Sequence, residues 1–425
     1  MPPSRGAERK EVTETPLIDG KTLKRVFQAL CPFDAGGRLR EEPLRSTLLA
    51  ANANIPLEVQ ARAFAMAAAD GQGSPMIIQV SHTAMRIAGG HPEDFPTLGA
   101  VRHQRAGMAG PRGIALARHM IERYVDDYGA RLVAMSLDHF KVPPLAGAPP
   151  GADPLGRRLA QARLEDALDA MAPVFGEDAR PSPKALEGYV DYMTSPPYSD
   201  FRREFLAAVG AARPAWGMID TEHLPPALVF AVTRDITDAI RQELGNDDIL
   251  IEAEFGATGQ SGAGEGYRAL RGQELEVFAS QISAFLTYTG ADGIAYPIGM
   301  QHAAPSGETH PPDVERLETV HRTVIQKTGR YVPFAQHGGT GAAFIARGLV
   351  GKHNVNTAFL VAMASSLAEH VEANREGIRK GKKSAAGTGM YLKAVEAVQQ
   401  KAIDQLEETG TYGMASRLEE EIRGG

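Results

Sequence analysis

Cysteine is all but absent. Cys31 is the only one in 425 residues, so the chain cannot form an internal disulfide or a thiolate cluster. That fits a reducing compartment, and Cys31 carries no local signature of a nucleophile. Long apolar runs are missing as well. The longest, around Ala358–Ala368, falls far short of the ~20 residues a membrane helix needs. The first residues, MPPSRGAERKEV, are charged rather than apolar, and a cytoplasmic protein with no membrane partner is expected. Nor is there a surplus of positive charge. With 45 Lys and Arg against 52 Asp and Glu the net charge is −7, which offers no field for holding a nucleic-acid backbone.

Several familiar motifs are also lacking. GKKS at 381–384 has Glu376, not glycine, five residues before Gly381, so it is not a phosphate-binding P-loop. GAGEG at 262–266 has the wrong glycine spacing for a dinucleotide fingerprint, and no HExxH occurs. No self-similarity appears at the periods of about 20–50 residues that mark solenoids.

What remains is an ordinary globular composition, 43% hydrophobic and 23% charged. Short apolar runs at 46–52, 75–81, 131–139, 215–220, 248–256, 291–299, 331–339 and 355–359 read as strands. Between them lie helix-like segments at 57–70, 111–128, 226–244, 270–289, 313–328 and 340–350. Eight strands alternating with helices predict a closed (β/α)8 TIM barrel rather than an open sheet. Residues 1–42 read as an N-terminal helical extension with Leu23, Val26, Phe27 and Leu30 on one face, and 43–376 as the catalytic barrel. A Pro/Gly-rich break, VPPLAGAPPGADP, opens an insertion at about 143–212, after the third strand. A basic loop and two helices fill 377–425, packing on the barrel or on a partner subunit.

In such a barrel, residues ending separate strands meet at one mouth. Three of the twelve histidines stand at strand ends: His139 in LDHF, His302 in IGMQH and His337 in AQHGG. Three imidazoles leave one tetrahedral position open on zinc, the arrangement of a catalytic site. Carboxylates end strands too, namely Asp138, Asp220 and the alternating pair Glu252 and Glu254. Carboxylates buried there need a cation or hydrogen-bond donors, so metal or supporting duty is expected of them. GGTG at 338–341 precedes a helix-like segment and can offer backbone N–H groups to a phosphate. GATGQSGAGEG at 256–266 reads as a flap. His103, His119, His321 and His370 lie on helix-like segments and read as structural or exposed.

Taken in order, SPMIIQVS, LDH, MIDTEHLP, IEAEFG, IGMQH, HGGTG and HNVNTAF resemble the class II, zinc-dependent fructose-bisphosphate and tagatose-bisphosphate aldolase family. The resemblance runs from about Asn52 to Leu367, interrupted by the insertion. It implies that His139, His302 and His337 bind the catalytic Zn2+ or another divalent metal, with a monovalent cation as a further candidate. It assigns Asp138 to proton exchange with the aldehyde oxygen, and Glu254 and Asp220 to a second metal position or its surroundings. Asn52 and Ser81 match substrate-contacting positions, and Gly338, Gly339, Thr340, Asn354, Asn356 and Thr357 fall in the phosphate- and ketone-binding loops. Glu265 is the only acidic residue in the flap and the candidate base.

The implied activity is reversible cleavage of a phosphorylated ketose, fructose 1,6-bisphosphate or a related sugar phosphate. The products are dihydroxyacetone phosphate and an aldehyde, formed through a zinc-stabilised enediolate. A homodimer or homotetramer is implied as well. Three departures leave open whether the substrate carries one phosphate or two. Ser306 stands where a lysine is common, Asn356 where an aspartate is usual, and GTG at 387–389 where the family has Asp-Pro-Arg. The basic run Arg375, Arg379, Lys380, Lys382 and Lys383 is the available substitute, although a charge run usually is a solvated face. Two other readings stand beside the aldolase: a non-catalytic partner subunit with the same barrel, and a zinc barrel hydrolase that activates water.

Overall fold

Apolar strands buried on both faces close into a barrel only if helices cover the outside and side chains fill the inside. That is the architecture of the computed structural model, which describes residues 15–90, 109–147, 149, 151, 153–176, 179–256, 267–299, 311–341 and 344–424. The strands are β1 Leu48–Asn52, β2 Met76–Ser81, β3 Val133–Lys141, β4 Trp216–Asp220, β5 Leu250–Glu254, β6 Gly293–Ala295, β7 Phe334–Gln336 and β8 Val350–Val355. They pair in parallel in sequence order, and β8 closes on β1 with Leu49 opposite His353. The expected (β/α)8 barrel is therefore the observed fold.

The helices follow as α1 Gly20–Leu30, α2 Leu57–Ala69, α3 His82–Ala88, α4 Ala109–Tyr128, α5 Pro154–Phe175, α6 Pro183–Met193 and α7 Pro196–Ala212. Then come α8 Pro226–Asp238, α9 Gln273–Thr289, α10 Val314–Thr328, α11 Thr357–Ala373, α12 Arg375–Arg379, α13 Met390–Thr409 and α14 Ala415–Gly424. Segment 143–212 holds α5, α6 and α7. Of these α7 packs against α4 and takes the place of the crossover between β3 and β4, while α5 lies on α8 and α9.

The last strand departs from expectation. No helix is seen among the described residues of 340–350, where a 3-10 turn, Gly339–Gly341, precedes β8, and 357–359 begin α11 rather than ending a strand. The cause lies in what β8 faces. Lys352 and Asn354 point into the barrel, so the strand lacks an apolar face, whereas the apolar run TAFLVAMASSL belongs to a helix.

Alternation along the strands fixes the interior. Leu48, Ala50, Ile77, Ala134, Trp216 and Leu250 share one cluster with Leu23, Val26, Phe27 and Leu30 of α1. The N-terminal helix thus plugs the floor of the barrel with the four residues its spacing singled out. Gly20 permits the approach, since a β-carbon there would lie 1.6 Å from the Asp248 carbonyl oxygen. Asp19 caps the helix by accepting from the Thr22 amide at 2.8 Å. Two to four residues further along the same strands, the inward residues become Asn52, Gln79, Asp138, Asp220, Glu252 and Glu254, all buried. The floor is apolar, and the mouth is polar.

After β8, α11 and the segment leading into α13 form an antiparallel hairpin. The Ser366 hydroxyl donates to the Lys393 carbonyl at 3.3 Å, and His370 Nε2 meets the Ala385 carbonyl at 2.9 Å. Here α13 packs on α2, and α14 returns to α1 at the floor.

Candidate functional site

Asp138 faces inward by simple alternation, so its neighbour His139 should face the helices. A bulge changes that. The pairing of β3 with β4 slips between Leu137 and Phe140, and His139 takes a left-handed backbone with φ 47°. Both side chains consequently reach the mouth. His139 lies opposite His337, which leaves the end of β7. Its Nε2 is 3.2 Å from His337 Nδ1, and the rings stand nearly perpendicular with centroids 4.8 Å apart.

Each of these imidazoles has a carboxylate at its other nitrogen. His139 Nδ1 is 3.5 Å from Asp220 Oδ2, and His337 Nε2 is 2.8 Å from Glu252 Oε1. Glu252 Oε2 in turn accepts from Trp216 Nε1 at 2.5 Å and Lys352 Nζ at 2.7 Å. Burial opposes ionisation of Glu252, but Lys352 and His337 outweigh it and hold the carboxyl well below its ordinary range. Burial likewise opposes protonation of His139, yet Asp138, Asp220 and Glu252 push its pKa up to about 9.

A second group lies beside the first. One oxygen each of Asp220, Glu222 and Glu254 falls within 4.8 Å of the others, a set able to hold a cation. Burial and the neighbouring Asp220 and Glu222 drive Glu254 well above the usual carboxylate range. Burial raises Asp220 too, but His139 and Lys141 more than compensate and bring it down to about 2. Lys141 Nζ sits 3.1 Å from Glu222 Oε1.

The remaining sequence-predicted residues fall around this centre. Asn52 Nδ2 donates to Asp138 Oδ2 at 2.6 Å, and Asp138 Oδ1 has no hydrogen-bond partner among the described residues. The Ser81 hydroxyl caps α3, accepting from the Ala84 amide at 3.2 Å. Asn354 faces inward, with its amide nitrogen 3.5 Å from His337 Nε2. Asn356 precedes α11, accepts from the Asn54 amide and is half-buried; Thr357 is the exposed first residue of that helix. Thr340 Oγ1 accepts from the Ala358 amide at 3.3 Å, tying the GGTG turn to the N-terminus of α11. Gly338 has φ 70°, and a β-carbon on Gly339 would lie 2.4 Å from the Asn354 carbonyl oxygen. The turn can lie this close to β8 only with glycine there. His302, Glu265 and Ser306 lie outside the described residues.

Sequence reasoning missed Glu222, Lys352 and Trp216, and left Glu252 without a specific part. Glu222 lies in the turn that follows β4, where strand alternation gives no signal. Lys352 could be found only by placing β8 correctly. Among the expected structural histidines, His321 is buried with Nε2 2.7 Å from the Leu349 carbonyl, and His119 is exposed.

The donor set fits the divalent metal that the resemblance implies. Two nitrogens bound to one tetrahedral zinc at about 2.0–2.1 Å would sit about 3.3 Å apart. The observed His139–His337 separation is 3.2 Å. Carboxylates on the remote nitrogens are the usual partners of metal-binding histidines.

Fold and site together define a (β/α)8 barrel with a histidine–carboxylate centre at its C-terminal mouth. Residues 215–414 match the family described as fructose-bisphosphate aldolase class-II, and the resemblance to class II aldolases carried by the motifs is shown there by a second, independent comparison. That stretch spans β4 to β8 with Asp220, Glu252, Glu254, His302 and His337, and leaves out Asp138 and His139. Among solved structures, a fructose-bisphosphate aldolase from Campylobacter jejuni is 14% identical. The alignment covers 93% of this chain and 96% of that one with a TM-score of 0.57, a likeness of fold. The YdjI aldolase from Escherichia coli K12 is 16% identical, with 87% and 94% covered and a TM-score of 0.49. No curated protein matches the chain. The family match supports an aldolase-type lyase. No helix among the described residues is long and apolar enough to cross a membrane.

Proposed function

We propose that this protein is a metal-dependent class II aldolase that reversibly cleaves a phosphorylated ketose, fructose 1,6-bisphosphate or a related sugar phosphate, to dihydroxyacetone phosphate and an aldehyde. The observation that carries the reading is the 3.2 Å approach of His139 Nε2 to His337 Nδ1, each ring backed by a carboxylate. His139 and His337, with His302 from the motif order, would hold the ion. When bound, it would supply fixed positive charge where an enediolate develops.

The chain's own residues supply the rest. Asn52 ties down one oxygen of Asp138, which leaves the unpartnered Oδ1 to give or take a proton at the aldehyde oxygen. Asn354 lies beside the histidines, and the GGTG turn, tied to the start of α11 by Thr340, would offer backbone amides to a phosphate. Glu265 is proposed as the flap base, and Asp220 with Glu254 as holders of a second cation. A cytoplasmic homodimer or homotetramer belongs to the same proposal.

The test is zinc-dependent release of dihydroxyacetone phosphate from a panel of ketose mono- and bisphosphates, read with a coupled dehydrogenase. Turnover that disappears on chelation and returns with zinc is expected. No turnover with any phosphorylated ketose would overturn the reading.

A further inference from the structure

Trp216, Glu252 and Lys352 lie in the barrel interior between the apolar floor and the histidines, and all three are fully buried. An indole N–H and an ammonium can only donate, and a carboxylate can only accept. Both donors fall on the same oxygen, Glu252 Oε2, at 2.5 Å and 2.7 Å. That fixes the plane of the carboxylate and turns Oε1 to His337 Nε2 at 2.8 Å. The His337 proton must then sit on Nε2, which directs the Nδ1 lone pair toward His139. The Asn354 amide nitrogen lies 3.5 Å from the same Nε2, but it can only donate and so makes no hydrogen bond to a nitrogen that already carries the proton.

The indole itself has little freedom to move. Phe27 of α1 packs on it with ring centroids 5.2 Å apart. Two strands along, on β6, a β-carbon on Gly293 would lie 2.3 Å from the Trp216 ring, so only glycine leaves room for it. Lys352 Nζ stands 5.5 Å from the indole centroid, a cation–π contact that adds to the shared hydrogen-bond acceptor.

We propose that Trp216 and Lys352 are positioning residues for the metal centre, acting through Glu252 to fix the tautomer and orientation of His337. The proposal rests on the metal-centre reading above. It also makes the chain's sole tryptophan a built-in reporter, because zinc bound by His337 perturbs a network that ends on the indole N–H.

The test is zinc titration of the full chain by chelator competition, for the wild type, Trp216→Phe, Lys352→Met and His337→Ala, with circular dichroism as the check on folding. Zinc affinity is expected to fall about 10–100-fold in Trp216→Phe and Lys352→Met. Tryptophan fluorescence should respond to zinc in the wild type and not in His337→Ala. Long-range 1H–15N spectra of the metal-free wild type should show His337 as the Nε2–H tautomer, and the two variants should show a mixture. Variants that fold and bind zinc as tightly as the wild type would overturn this proposal alone, leaving the metal centre intact. A wild type that binds no zinc would overturn both. If neither variant folds, the wild-type spectrum decides, and an Nδ1–H tautomer for His337 overturns the inference.

Discussion

The two ends of the barrel are built from the same eight strands and differ in almost everything else. At the floor, inward side chains are Leu48, Ile77, Ala134 and Leu250, sealed by α1. At the mouth, a few residues further along, they are Asn52, Asp138, Asp220, Glu254 and Asn354, several with polar atoms that no described residue satisfies. Stability is therefore expected to be concentrated at the floor and chemistry at the mouth, as usual for this architecture. Burial of unsatisfied polar groups is costly, and a ligand seated at the mouth, as proposed, would satisfy them. Between the two lies the Trp216–Glu252–Lys352 layer, where an apolar anchor and an ionic one meet.

The largest expected effect falls at the mouth. His337→Ala should abolish zinc binding and bring ketose-phosphate cleavage to background, with the unfolding midpoint of the metal-free protein little changed. Bound metal and coupled dihydroxyacetone phosphate release check this. The converse substitution is Phe27→Ala at the floor, which should cost about 3–5 kcal/mol of stability while leaving the metal-to-protein ratio at saturating zinc unchanged. Denaturant titration reads that effect. If Phe27→Ala lost its metal without losing stability, the division between floor and mouth would fail.

Much of this contrast is legible in the sequence, and its gaps have physical causes. The floor helix follows from Leu23, Val26, Phe27 and Leu30 at helical spacing, because one-sided burial leaves that periodicity. Asp138 and His337 follow from their positions at strand ends. His139 facing the same cavity as Asp138 does not follow from alternation, since it needs a bulge with a left-handed residue that no glycine announces. β8 was misplaced because an inward lysine and asparagine mimic a loop, while the apolar start of α11 mimics a strand. Lys352 was hidden for the same reason: a cation buried against Glu252 breaks the rule by which strands are recognised. Glu222 reaches the acidic group through a turn after β4, beyond the reach of strand periodicity.

Acid should expose a smaller, separate weakness outside the mouth. Burial pushes the His321 pKa down to about 4, although its bond to the Leu349 carbonyl works in the other direction. The unfolded chain takes up this proton near pH 6.5 and the folded protein only near 4. Between those values the unfolded state binds more protons. The stabilising contribution is therefore complete above about pH 6.5 and declines as the pH falls toward 4, by about 3 kcal/mol in total. His321→Gln, which keeps a donor for the Leu349 carbonyl, should flatten the stability profile over that window. Denaturant midpoints measured from pH 7 to pH 4 test it. An unchanged slope would place the acid sensitivity elsewhere, for instance at buried His353, whose pKa burial also lowers to about 4.

The smallest effect is expected at the basic run, and it decides where the phosphate is held. Arg375, Arg379, Lys380, Lys382 and Lys383 are all exposed, and the Lys380–Glu376 pair at 3.5 Å lies in solvent. The 17 residues of α11, at 1.5 Å each, separate Arg375 from Thr357 by about 25 Å along the helix axis. A phosphate seated at the GGTG turn and the start of α11 is thus beyond hydrogen-bonding reach of the run, and more than two Debye lengths from it at physiological salt. Arg379→Ala combined with Lys382→Ala should change KM for the sugar phosphate by less than about twofold, and stability by less than about 0.5 kcal/mol. Thr340→Val, which removes the hydroxyl that accepts from the Ala358 amide, should raise KM by more than the double substitution does. The reverse ranking would move phosphate recognition from the mouth of this barrel to the hairpin arm, and with it one of the chemical duties assigned to the mouth.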